Sequence, residues 1–113
     1  MVSENDPIEA STLSIDKTRF IVTRRRWLHI LDRHVELRDM MRVVLFAASV
    51  PDEVFMDQRG TLHLVKRLHN MVSDFLVVIA RKSDSKTYLV TAYYMNSKRK
   101  ERRYRKFKKL TLS

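Results

Sequence analysis

The sequence predicts an α+β domain: two N-terminal helices packed on one face of a four-stranded, mainly antiparallel sheet, followed by a basic C-terminal tail or short helix. Three observations lead there. Apolar residues recur at helical spacing in two stretches before Pro51. Four β-prone runs joined by short polar turns follow it. A chain of 113 residues, 44% of them hydrophobic, has material for one core.

In order, residues 1–16 are polar, carry Pro7 and hold only acidic charges (Glu4, Asp6, Glu9, Asp16), so they read as a loose lead-in to a main domain over 17–97. Phe20-Ile-Val22 is a short β-prone run suited to an edge strand. Thr23 has the side-chain oxygen to cap a first helix, Arg24 to His34. On a helix advancing about 100° per residue, Trp27, Ile30, Leu31 and His34 share one stripe. Residues 35–39 turn a corner, with Asp39 a candidate cap for a second helix ending near Ser49. Its stripe is Met40, Val43, Val44, Ala47 and Ala48, and Pro51 disfavours helical geometry at Val50. Met40, Met41 and Met71 read as packing residues.

Glu53 to Asp57 suits a strand, and Asp57-Gln-Arg-Gly60 a turn with Gly60 left-handed. Thr61 to His69 alternates, with Leu62, Leu64 and Leu68 on one face and His63, Val65, Arg67 and His69 on the other. Phe75 to Ala80 is continuously apolar, as a central strand covered on both faces would be. After the polar turn Ser83 to Lys86, Tyr88 to Met95 is a strand whose alternation puts Val90 and Ala92 toward the helices and Thr91 and Tyr93 away from them. A basic extension, 98–113, holds nine Lys or Arg and one Glu between Lys98 and Lys109; Tyr104, Phe107 and Leu110 recur there every third residue, as on a short helix laid on the sheet.

The net charge of +10 favours a polyanion, nucleic acid before membrane. No apolar run reaches the ~18 residues of a membrane span, and the absence of cysteine suits a cytoplasmic setting without disulfides or thiolate metal sites. The single glycine excludes Gly-rich nucleotide loops, and His29 and His34, five apart, lack the one-face i, i+4 spacing of a zinc pair. Two constellations remain. At the end of the first helix, His34 closes the apolar stripe with Arg33 beside it, either as an active-site corner or as a hydrogen-bonded core histidine. On the sheet, Thr91 and Tyr93 with His63, Arg67 and His69 would offer hydroxyls, imidazoles and an arginine to phosphate, or are simply good strand formers.

His29-Ile-Leu-Asp-Arg-His34, a second helix ending at Pro51, the Leu-Val-Val-Ile strand and Val90-Thr-Ala-Tyr-Tyr94 before Lys98 resemble, in order and spacing, the phage-type barnase/EndoU/colicin/RelE-like nucleases. The resemblance spans about Trp27 to Lys100 and implies a small, metal-independent, toxin-like endoribonuclease without a cofactor. It singles out His29, Arg33 and His34 on the helix and Thr91 and Tyr93 on the strand, and loosely Lys98. The family pattern commonly has proline after the second histidine, where this chain has Val35. Such nucleases are often held in check by an acidic inhibitor protein. The chemistry would be attack of a ribose 2′-hydroxyl on the adjacent phosphorus, with His34 as acid or base, Arg33 as phosphate clamp, Thr91 or Tyr93 as donor and His29 in reserve. The rivals are a non-catalytic RNA- or DNA-binding module, and an interaction protein docking on an acidic partner. In the binding reading the contacts come from His63, Arg67, Lys98, Lys100, Arg102, Arg103, Arg105 and Lys106.

Overall fold

A computed structural model describes residues 6–69 and 73–112. Met71 and the start of the acidic lead-in lie outside the described residues. The strands are β1 (Pro7–Thr12), β2 (Arg19–Thr23), β3 (Glu53–Met56), β4 (Leu62–Arg67), β5 (Phe75–Ser83), β6 (Lys86–Met95) and β7 (Lys108–Leu110). The helices are α1 (Arg24–Arg33), α2 (Met41–Ser49) and α3 (Ser97–Tyr104), with a 3₁₀ turn at Val35–Leu37. All seven strands form one mixed sheet in the order β1-β2-β6-β5-β4-β3-β7.

The expected four-stranded sheet is therefore only the middle of a larger one. The meander β3-β4-β5-β6 is antiparallel throughout. Beside it, β2 pairs in parallel with the start of β6, with Phe20 opposite Thr87. Strand β1 lies outside β2, so the stretch expected to be a loose lead-in contributes an edge strand. Only Ile8 and Ala10 mark it in sequence; pairing with β2 decides its conformation. On the far side β7 returns antiparallel to β3. Its Lys108 and Lys109 are poor strand formers, and the Lys109 ammonium pairs with Glu53 of β3 at 3.1 Å.

Helix α1 begins where Thr23 accepts the Arg26 N–H, and it buries Trp27 and Ile30. Asp39 does not cap α2. The 3₁₀ turn buries Leu37 and carries the chain one residue further, so Met40 precedes the helix without a side-chain cap. Gly60 does take the left-handed conformation (φ 82°), while the Asp57 carboxylate accepts from the Arg59 and Thr61 N–H groups.

Two cores sandwich the sheet, so helices cover both faces rather than one. The first packs Trp27, Ile30, Val44, Ala47 and Ala48 of α1 and α2 on Leu64, Leu76, Val78 and Ala92. The second packs Phe55, Val65, Phe75, Val77, Ile79 and Met95 under Tyr104 of α3. That is why β5 is continuously apolar: Leu76 and Val78 serve one core, Val77 and Ile79 the other. Each such fully buried side chain stabilises the fold by about 1.5–3 kcal/mol.

One irregularity decides which β6 side chains share a face. Thr91 lies opposite Ile79, but Leu89 lies opposite Ala80, so Val90 is an extra, bulged residue. Simple alternation fails there: Leu89 and Ala92 face the first core, whereas Val90 and Tyr93 pack on the second. Val90 thus points away from the helices it was expected to meet. Strand β2 accompanies β6 only from Lys86 to Tyr88. From Leu89 onward, no described strand pairs with that side of β6.

Candidate active site

The cleft of interest lies at the C-terminal end of this unpaired stretch. His34, just past α1, Glu36 of the 3₁₀ turn, Tyr93 and Tyr94 of β6, and Arg99 and Arg103 of α3 line a cavity of about 270 Å³. Each element is fixed by local chemistry. The His34 N–H donates to the Ile30 carbonyl at 2.8 Å and closes α1. Asn96 caps α3 by accepting the Arg99 N–H at 2.8 Å, and Asp74 accepts from both the N–H and hydroxyl of Ser97. Lys100 is pinned from below by Glu53. With α3 so anchored, Arg99 and Arg103, four apart, fall on one helical face.

The His34 Nδ1 atom lies 3.4 Å from a Glu36 carboxylate oxygen. The imidazole ring is tilted 43° to that of Tyr93, with centroids 6.3 Å apart. Glu36 flanks the ring on its Nδ1 side. The site thus combines an imidazole, the ring of Tyr93, whose hydroxyl is buried, and two guanidinium forks, which are matched to phosphate oxygens.

The sequence-expected residues divide. His34 and Tyr93 converge here, and Arg103, expected only as a nucleic-acid contact, joins them. Arg33 is exposed on the last turn of α1 and does not line the cleft. His29 is exposed in a different hollow with Arg25, Arg26 and Asp32. Thr91 is half-buried and lies opposite Ile79, outside the cavity lining. Lys98, Arg102, Arg105 and Lys106 are exposed, Lys100 is half-buried against Glu53, and Arg67 lies over the Phe75 ring at 5.2 Å. Glu36 and Arg99 were missed. Their signals were the carboxylate two residues past His34 and the i, i+4 arginine pair directly after a strand.

His63 shares a sheet face with Tyr93, as alternation suggested, but α3 roofs that face. The imidazole is 5% exposed, its Nδ1 2.9 Å from the Tyr104 hydroxyl and its Nε2 3.5 Å from Asp57. Phe107 meets the ring edge-on. Burial pushes the His63 pKa down and the charge of Arg103 adds to this, against the opposing pull of Asp57. Burial also pushes the Tyr104 phenol well up, helped by the neighbouring Tyr93. For Asp57, burial works upward, but the N–H groups of Thr61 and Arg59 and the His63 ring outweigh it and hold the carboxyl below its usual range.

Among the described residues no three His, Cys, Asp or Glu side chains converge as ligands for an ion, and no helix is long and apolar enough to cross a membrane. No family model matches the chain, and no curated protein or solved structure matches it either.

Proposed function

We propose that this chain is an endoribonuclease that cuts single-stranded RNA by attack of a 2′-hydroxyl on the adjacent phosphorus, with side chains supplying the base and the positive charge, and no metal. One observation carries the proposal: a carboxylate-backed imidazole, His34 on Glu36, faces Tyr93 and two arginines in one cleft. His34 Nε2 takes the 2′-hydroxyl proton, and the 2′-oxygen bonds to phosphorus. Arg99 and Arg103 carry the charge gathered on the phosphoryl oxygens. The P–O5′ bond breaks, the 5′-oxygen takes a proton from solvent, and a 2′,3′-cyclic phosphate remains. The Tyr93 ring flanks His34 and offers a surface on which an unpaired base can stack, while its hydroxyl is buried beside Tyr104. A cytoplasmic setting and an acidic inhibitor protein that fills the cleft belong to the same proposal.

The test is purified protein with labelled RNA in excess EDTA. Cleavage with a cyclic-phosphate end, abolished when the RNA is 2′-O-methylated, is the expected result. Intact RNA with a salt-sensitive gel shift would instead establish a non-catalytic RNA-binding module. The observation favouring that second reading is that Lys98, Arg102, Arg105 and Lys106 lie exposed outside the cleft.

A further inference from the structure

A second cleft opens on the same strand. Thr23 and Arg26 at the start of α1, Arg81 and Lys82 of β5, and Tyr88 and Val90 of β6 line a cavity of about 370 Å³. It repeats the make-up of the first cleft: a half-buried β6 tyrosine beside guanidinium groups. Arg26, Arg81 and Lys82 are all exposed; Lys82 is paired with Asp16, and the Arg81 guanidinium donates to the Thr61 hydroxyl at 3.3 Å.

The two tyrosines are brought into line by the bulge. Tyr88 and Tyr93 are five residues apart, an odd spacing that a regular strand would send to opposite faces. With Val90 inserted, Tyr88 lies opposite Arg81 and Tyr93 opposite Val77, four apart on β5 and so on one face. Four residues of strand separate the rings by about 13 Å, the length of up to about four stacked nucleotides. Between them, β6 has one side unpaired.

We propose that the second cleft is a nucleotide subsite for the RNA strand cut at His34, with Tyr88 stacking on a base and Arg26 and Arg81 holding backbone phosphates. This rests on the endoribonuclease reading and adds that the substrate is an extended single strand lying along β6. Duplex RNA keeps its bases stacked in the helix and offers none to either tyrosine.

The experiment measures binding of 2′-O-methyl oligonucleotides of two and six nucleotides by fluorescence anisotropy, since these cannot be cut. The six-mer should bind the unaltered protein about ten-fold or more tighter than the dimer, as one added stacking contact and two phosphates require. Tyr88→Leu combined with Arg26→Ala should remove most of that advantage and leave dimer affinity unchanged. Tyr88→Phe, which keeps the ring, should bind both oligonucleotides like the parent. Equal weakening at both lengths, or no length advantage in the parent, overturns the subsite. If the six-mer behaves as expected but unmodified RNA stays intact, the nuclease reading fails and the subsite stands. If RNA is cut while the double variant still binds the six-mer at parental strength, the subsite fails and the nuclease reading stands.

Discussion

His34 and His63 make the same contact in opposite surroundings. Each has a carboxylate close by, Glu36 at 3.4 Å from one and Asp57 at 3.5 Å from the other. The His34 side chain is 32% exposed at the mouth of an arginine-lined cleft; that of His63 is 5% exposed beneath Tyr104 and Phe107. The difference teaches that a His–carboxylate pair carries no function by itself. His34 is open to solvent beside two arginines, whereas burial makes His63 a fastening for α3. Tyr93 stands between them, beside His34 on one side and Tyr104 on the other.

The sharpest way to break this contrast is to remove each ring in turn. His34→Ala should lower RNA cleavage about 10²–10⁴-fold with an unchanged melting temperature. Activity retained in the folded variant would end its assignment. His63→Ala should do the converse. It strands the Tyr104 hydroxyl and opens a void, so a loss of about 1–3 kcal/mol is expected, roughly 4–8 °C in melting temperature per kcal/mol. Thermal denaturation of the two variants side by side checks both statements.

Acidity separates the pair further. Folded His63 resists protonation, whereas the unfolded chain titrates near 6.5. As pH falls below about 6.5, the unfolded state therefore takes up the proton first, and stability declines until His63 protonates within the fold. The depressed carboxyls of Asp16, Glu53 and Asp57 act in a more acidic window: their stabilisation is complete above about pH 4–5 and is lost below it. Melting temperatures should thus fall as pH drops below about 6.5, and His63→Gln should flatten that stretch alone. An identical slope in the variant would assign the effect elsewhere. The smallest effect belongs to the exposed tail. Neutralising Lys98, Arg102, Arg105 and Lys106 should reduce the log–log salt slope of RNA binding by about 0.7 per lost contact, while turnover of bound RNA persists.

What could be read locally from the sequence was local in cause. Thr23 caps α1, Pro51 follows the end of α2, Gly60 takes its positive φ, and the β3–β6 meander runs through the expected stretches. What escaped depends on distant partners. Glu9 and Ser11 give no strand signal, yet β1 forms because β2 offers a ladder. Lys108 and Lys109 read as tail, yet β3 and Glu53 draw them into the sheet. His63 was placed on the correct face of β4, but the Tyr104 and Phe107 cover depends on how α3 crosses the sheet. The Val90 bulge broke a period-2 pattern that had no glycine to announce it.

The two outer borders of the sheet have a consequence for how the molecule behaves among its own copies. An unpaired strand is a template for another chain, and flat, apolar, long borders invite fibrous association. Here β7 is three residues long and places Lys108 and Lys109 on its border, where two approaching copies would repel each other. The opposite border begins at Pro7, which has no N–H to offer, and its register is broken between Pro7 and Glu9. A chain this rich in β-structure is thereby discouraged from pairing edge to edge with itself, and crowding has little purchase for seeding aggregates.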